Sequence, residues 1–393
     1  MFILLEQFLF TYHLYFQCIL HGNISEAITE NLLMKTVKLD IAKGYDDPAV
    51  VSFIDSFFSR HAGRLEEAGR ILLKPNLLLA APPERGITTH PLFVEAVINV
   101  LRKYTKSELI LGDSPGANFG KYETVLNKTG MADLCAKHRI KTVRMEASAP
   151  KMKNGRVYAP AADEADIIIN IAKLKTHSLT GLTLCVKNMF GLVPGNAKVG
   201  YHRAHPDDRE LAYNIYDFFS MFEGRVLNLL DGITAHEGDG PSRGKPVHLG
   251  IMAASNDAVA LDAAVTRLLG LDEDFCLTTL GAKRKGYDTS DIKADKPEGQ
   301  FRIKIPVSKR VPVLPDFLKS WVSDRIFVKP FIISEKCIKC RLCVKSCPVD
   351  AIRSDDEFLI EPEKCIECFC CHEVCESDAV GMRRSFLHKV FVR

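Results

Sequence analysis

The run Cys337-x2-Cys340-x2-Cys343-x3-Cys347-Pro348 recurs 28 residues later as Cys365-x2-Cys368-x2-Cys371-x3-Cys375, and the flanking text repeats with it (CIKCRLCVKSCPVDAI against CIECFCCHEVCESDAV). Three thiolates at i, i+3 and i+6 can wrap one loop around a compact cluster, while the fourth cysteine of each run points away and completes the other site. The spacing therefore predicts two [4Fe–4S] clusters. Cys337, Cys340, Cys343 and Cys375 are expected on the first, and Cys365, Cys368, Cys371 and Cys347 on the second. Structural zinc sites instead bring two C-x-x-C pairs from separate places. Glu376 stands where a proline follows the first run, which removes no ligand, and Cys370 is an extra thiol beside Cys371.

Nine of the thirteen cysteines lie between Cys337 and Cys375. An odd total so clustered argues against a secreted disulfide framework and for a reducing, cytoplasmic setting. Residues 334–384 carry eight Lys/Arg and eleven Asp/Glu, net −3, leaving +6 of the chain's +3 total on the remainder. Lys336, Lys339, Arg341 and Lys345 surround the first run, and Glu363, Glu367, Glu373 and Glu376 the second. Positive neighbours stabilise an added electron, so the first cluster is expected to have the higher potential.

A second set of chemistry-bearing residues precedes these. Lys74-Pro75-Asn76 interrupts an apolar run, Thr89-His90-Pro91 opens a helical pattern, and Asp113-Ser114-Pro115-Gly116 follows a strand pattern. Asp231-Gly232 does likewise and runs on into His236-Glu237-Gly238-Asp239-Gly240-Pro241. The densest stretch is 172–195, AKLKTHSLTGLTLCVKNMFGLVPG, with Lys173, Lys175, His177, Lys187 and Asn188 among Gly181, Gly191 and Gly195. Lysines beside loop amides suit a phosphate or carboxylate. His177 either takes part in chemistry or fixes its loop. Asp113 and Asp231 either face a site or cap the next helix, and Glu237 with Asp239 either hold a cation or shape a turn. His177 and Lys187 are the candidate catalytic residues; Lys74, Asp113, Lys175, Asn188 and Asp231 are the candidate substrate-binding ones.

The elements that must position these residues alternate. Strand patterns at 37–42, 70–78, 108–114, 141–146, 165–174, 225–231 and 248–255 are separated by helical ones at 48–60, 91–103, 122–139, 208–222 and 257–269. Short, nearly continuous apolar strands suit the inside of a mainly parallel sheet flanked by helices, with ligands at the strands' C-terminal ends. The expected class is α/β, with a small C-terminal α+β ferredoxin-like domain. No strand is followed by GxGxxG and no GxxxxGK[ST] occurs, which argues against a Rossmann dinucleotide site and a P-loop. A net charge of +3 over 393 residues gives no sign of a nucleic-acid partner. Residues 1–33 read as an extension ahead of a domain opening at Met34: no Lys or Arg precedes Lys35, and Glu6, Gln7, His13 and Gln17 break the apolar run, so membrane association is not expected. The expected layout is an α/β domain over 34–295, a proline-punctuated linker over 296–333 with a short helix near 317–326, the cysteine domain over 334–384, and a tail over 385–393.

The segments LLKPNLL, GDSPG, KLKTHSLTGLTLCVKNMFGLVPG and DGITAHEGDGP together resemble the family named domain of unknown function 362, over about Met34 to Leu271. Members of that family often carry a C-terminal double ferredoxin module. A weaker similarity is to the nickel-dependent lactate racemase family, whose glycine-rich loop presents a His, a Lys ten positions on, and Pro-Gly, as do His177, Lys187 and Pro194-Gly195. That resemblance implies a Lys-anchored nickel-pincer cofactor, with His90, His202 and His205 as further ligands or bases. Three functions stay open. The first is an electron-transfer subunit or oxidoreductase acting on an anionic small molecule with an unidentified redox partner. The second is a non-redox isomerase or racemase with a redox-sensing module, and the third an electron carrier with a docking domain.

Overall fold

The computed structural model describes residues 35–116, 122–195, 197–309, 327–355, 357–386 and 388. The N-terminal extension, the helix expected at 317–326 and most of the tail lie outside them.

Strands run in chain order as β1 (Thr36–Ile41), β2 (Arg70–Pro75), β3 (Glu108–Leu111), β4 (Lys141–Thr142), β5 (Lys151–Lys153), β6 (Arg156–Tyr158), β7 (Ile167–His177), β8 (Gly181–Thr183), β9 (Val226–Glu237), β10 (Lys245–Ser255) and β11 (Lys293–Ala294). Nine of them form one sheet in the order β11-β1-β10-β9-β7-β2-β3-β4, with β8 paired to β7; β5 and β6 form a separate hairpin. The β9–β7–β2–β3–β4 block is parallel, as is β11–β1, whereas β10 runs antiparallel to both neighbours. This is a mainly parallel sheet with helices.

Central β7 shows why the sheet is covered on both faces. Every residue of it is buried. Side chains alternate across a strand, so Ile168, Ala172 and Leu174 enter one core while Ile167, Ile169 and Ile171 enter the other. Helices Pro48–Phe58 and Pro91–Leu101 cover the second face, and Asp208–Phe219 and Ala258–Leu268 the first. Their starts follow capping chemistry: the carboxylates of Asp47, Asp207 and Asp257 accept first-turn amides, and Pro48 and Pro91 sit where no N–H is needed. The helical stretch expected over 122–139 is two helices, Tyr122–Lys128 and Met131–His138, because Gly130 takes φ 75° between them.

The cysteine-rich region adds two short antiparallel sheets: β12 (Val328–Ile332) with β15 (Val380–Arg384), and β13 (Ile352–Ser354) with β14 (Phe358–Ile360). β12 falls in the stretch read from sequence as linker. The cysteine-rich region packs on the α/β domain: Phe369 and Val328 join the core of the large sheet, Ser242 Oγ donates to Glu373 O at 3.2 Å, and Arg243 Nε donates to His372 O at 3.4 Å.

Candidate functional site

β2, β7 and β9 and the turn after β3 carry lysines and carboxylates into the protein interior. Lys173 lies opposite Asp231 in the β7–β9 register; their side chains meet at 2.8 Å with neither exposed. Asp231 also accepts the His90 amide (2.9 Å) and the Tyr45 hydroxyl (3.0 Å), so its lone pairs are committed to protein groups. Lys74 pairs with Asp113 at 2.7 Å, and the second Asp113 oxygen accepts the Leu77 amide at 2.7 Å. Gly191 is required here. A Cβ on it would stand 1.9 Å from Asp113 Oδ1 and 2.6 Å from Lys74 Nζ. Buried pairs of this kind hold only with their remaining hydrogen bonds filled, as they are.

A crevice of about 100 Å³ opens beside them, lined on the α/β side by Asp113, Lys175, His177, Lys187, Asn188, Lys198 and His202. Lys175 Nζ donates to Asn76 Oδ1 (2.9 Å) and Ile87 O (3.0 Å), and burial pulls its ammonium down to about 7. Asn76, Asn188, Asn170 and Asn228 form a chain of amide hydrogen bonds of 2.8–2.9 Å, which fixes Asn188 and the turn that carries it. Lys187 stands on the short helix Cys185–Asn188, whose first two amides donate to the Asp262 carboxylate at 2.8 and 3.0 Å. Its own ammonium makes no hydrogen bond or ion pair among the described residues and lies 5.8 Å from the Phe190 ring centre. Burial lowers it as well. Lys198 Nζ donates to Ser114 O, with its ammonium lowered to about 8 by burial.

His177 has a defined tautomer. Its Nδ1 accepts the amides of Leu179 (3.1 Å) and Thr180 (3.4 Å), so the ring proton sits on Nε2, 3.3 Å from Glu373 Oε1. Burial and then Lys187 and Lys175 hold the imidazole well below its ordinary range, hence neutral. Burial pushes the Glu373 carboxyl up against the pull of Lys187, Lys175 and Lys198.

Glu373 belongs to the opposite wall. Ser346, Cys370, Glu373 and Val374 close the crevice from the cysteine-rich side, and all but Glu373 adjoin a repeat cysteine. Within that side, Cys337, Cys340, Cys343 and Cys375 line one hollow. Burial and then the Cys375, Cys340 and Cys337 thiols lift Cys343 to about 11. Cys371 feels Cys368, Cys365, Cys343 and Cys347, and Cys365 feels Cys368 and Cys347. The backbone fits this grouping. Lys339, Arg341 and Asp350 take φ 53°, 62° and 50°, and Glu367, Phe369 and Asp378, each 28 positions later, take 55°, 54° and 57°. Left-handed non-glycine residues cost on the order of 1 kcal/mol each. Repetition at the same three positions of each repeat marks a loop shape held for its cysteines. The Ala351 amide donates to Cys347 Sγ at 3.1 Å and the Ala379 amide to Cys375 Sγ at 3.3 Å, the contact that stabilises thiolates around an iron–sulfur group.

Of the residues singled out from sequence, Asp113, Lys175, His177, Lys187 and Asn188 share the crevice. Lys74 lies beneath it, bound to Asp113, and Asp231 is engaged by Lys173. Of the further histidines, only His202 lines the crevice; His90 stacks on Tyr45 at 3.8 Å and His205 meets Asn214. Glu237 and Asp239 accept the Lys304 and Val307 amides at 2.9 and 2.8 Å, so this loop binds the following chain segment. Sequence reasoning missed Lys198, three residues past Gly195 and recognisable only as one more lysine near the loop. It also missed Glu373 in this role, because the local pattern assigns it to the cysteine repeat.

An α/β sheet joined to a repeated cysteine module of this geometry defines a protein of the iron–sulfur class. The chain belongs to the family described as domain of unknown function (DUF362), whose model matches residues 71–267, and a 4Fe-4S binding domain matches residues 330–353. It is similar to the thylakoid-associated protein sll1697 of Synechocystis sp. (strain ATCC 27184 / PCC 6803 / Kazusa), with 32% identity over 273 residues, 67% of this chain and 84% of that protein. Among the described residues no helix is long and apolar enough to cross a membrane.

Proposed function

We propose that this chain is an iron–sulfur oxidoreductase in which two [4Fe–4S] clusters, one on Cys337, Cys340, Cys343 and Cys375 and one on Cys365, Cys368, Cys371 and Cys347, relay electrons between an external carrier and a small anion in the crevice. The observation that carries this reading is the shared wall: Ser346, Cys370 and Val374, neighbours of cluster cysteines, face the same space as Lys175, Lys187 and Lys198. A small carboxylate or phosphate would take the unpaired Lys187 ammonium as its first partner, and burial strengthens that attraction. Lys175 and Lys198 add positive potential while their protons remain on. His177 presents Nε2–H toward the crevice and can donate a hydrogen bond to the bound anion or to Glu373. Asp262 and the asparagine chain act through position, holding the Lys187 helix in place.

Anaerobically reconstituted protein should carry about eight irons per chain. After reduction it should be reoxidised by a small carboxylate that binds the crevice and carries a reducible group, such as a 2-oxo acid taking two electrons and two protons to the 2-hydroxy acid, and Lys187→Met should lose that reoxidation while keeping both cluster EPR signals. Undiminished reoxidation in Lys187→Met would remove the crevice from the electron path and leave a carrier with a docking domain. The unpaired, lowered Lys187 amine also suits the racemase-like reading, which an adduct on Lys187 in the intact mass, together with nickel, would promote.

A further inference from the structure

We infer that the solvent face of the first cysteine loop is a docking surface for an acidic one-electron carrier protein. This rests on the proposed electron path and adds its outer terminus. Cys340 is exposed at the centre of the loop, and Ile338 beside it is 66% exposed. Lys336, Lys339, Arg341 and Lys345 are exposed around them, and the first three make no ion pair with any described residue. The nearby carboxylates on this stretch are Glu335 and Asp350, so cations outnumber them. The 334–384 region as a whole is net −3, which makes the loop a local reversal of sign. An acidic partner is thus repelled by the rest of the region and drawn to the loop where a cluster thiolate reaches the surface.

The second repeat sharpens the contrast. At the positions of Lys339, Arg341 and Lys345 it has Glu367, Phe369 and Glu373; Phe369 is buried in the α/β core and Glu373 lines the crevice. One loop faces inward and the other outward. Electron-transfer encounters use small, transient interfaces, and an apolar residue ringed by cations fits one. The step is a single transfer: the reduced carrier loses one electron, the group held behind Cys340 gains it, and no bond or proton moves.

The test uses the full reconstituted chain and a photoreduced acidic [2Fe–2S] ferredoxin as probe, with a neutral deazaflavin radical as the reductant that needs no docking. For the wild type, reduction by the ferredoxin should slow steeply with added salt, while reduction by deazaflavin should not. The triple variant Lys336→Glu, Lys339→Glu, Arg341→Glu should be reduced by the ferredoxin roughly tenfold or more slowly at low salt, with the deazaflavin rate unchanged. Lys336→Glu alone should slow the ferredoxin reaction measurably, whereas Lys364→Glu, the same single charge reversal at the equivalent position of the second loop, should have little effect. A salt-independent wild-type rate overturns the inference even if the triple variant fails to fold. An unchanged ferredoxin rate in the variant, or equal slowing with both reductants, also overturns it. If docking holds but no crevice anion reoxidises the protein, the proposed function fails and the docking surface stands.

Discussion

Lys339 and Arg341 flank Cys340 in solvent; at the same left-handed positions of the second repeat, Glu367 pairs with Lys329 and Phe369 is buried in the core of the α/β domain. The backbone path is duplicated, and the side chains on it have diverged with their surroundings. Equal cysteine spacing therefore says little about equal roles. What separates the loops is whether the residue following the middle cysteine is a cation that stays wet or a phenylalanine that fills a core. Exchanging those residues tests directly whether the loops are differently placed.

The largest effect is expected at Phe369. It is 5% exposed and packs with the core under β7 and β9. Truncating a buried phenylalanine costs roughly 3–5 kcal/mol, and Phe369→Arg would also bury a charge. Either variant should loosen the cysteine module from the α/β domain and open the crevice, read as faster proteolysis between the domains and a lower melting temperature. The mirror change, Arg341→Phe, should leave stability within about 0.5 kcal/mol, as surface substitutions do. Similar losses in both variants would mean that the loops are not differently placed.

Next in size is the crossing of the fourth cysteines. Cys375→Ser should abolish the cluster held by the first loop, and Cys347→Ser that held by the second, each halving the iron content. EPR-monitored titration of the survivor distinguishes crossed from uncrossed ligation: Cys375→Ser should leave the cluster whose potential Lys187→Met shifts, because the second loop faces the crevice. Survival of the other cluster would reverse the assignment.

A smaller effect is expected in the crevice. Lys187→Met should weaken anion binding by about 10- to 100-fold, the worth of a charge-assisted hydrogen bond at roughly 1.5–3 kcal/mol. Lys175 adds a pH dependence. Its ammonium is lowered to about 7, chiefly by burial, with Glu373 opposing and Lys187 assisting. The side chain is therefore protonated below about pH 7 and neutral above, so anion affinity should fall as pH rises through that value. Titration calorimetry with a carboxylate probe across pH 6 to 9 in roughly unit steps checks the sign, and Lys175→Met should flatten the profile. Rising affinity would exclude Lys175 as an anion partner. By linkage, this lysine should also let folding stability increase with pH above about 7, since the unfolded chain keeps its proton to the ordinary lysine range.

The legible part of the molecule was whatever repeats or alternates locally. Strands such as Arg70–Pro75 and helices such as Pro91–Leu101 announce themselves through apolar runs and a proline at the first turn. The 172–195 segment was conspicuous because lysines inside an apolar strand need a reason. The length of β9 and β10 was less visible: beyond Asp231 polar residues enter, and pairing with each other, together with Lys175 of β7 opposite His236, keeps them as strands to Glu237 and from Lys245. β4 is shorter than its apolar pattern because it lies on the sheet edge and pairs with β3 alone. The second wall of the crevice was not legible at all. No periodicity links Lys187 to Glu373; only tertiary packing does.

That same packing bears on the difference expected between the cluster potentials. Local charge gives the first loop four cations and the second four carboxylates, Glu363, Glu367, Glu373 and Glu376. The folded chain offsets part of this difference, since Glu367 pairs with Lys329 at 3.1 Å and Glu373 faces Lys187, Lys175 and Lys198. The first cluster should still have the higher potential, by less than the sequence alone implies. Glu373→Gln should raise the second potential and Lys187→Met should lower it, each on the order of tens of millivolts, as a Coulomb term near 1 kcal/mol converts for one electron. Lys339→Gln should instead lower the first. EPR-monitored redox titration of the three variants separates these shifts. If Lys187→Met moves the first cluster rather than the second, the inward loop has been misassigned; if it moves neither, the crevice and the cluster are electrostatically separate, and their common wall carries no electronic meaning.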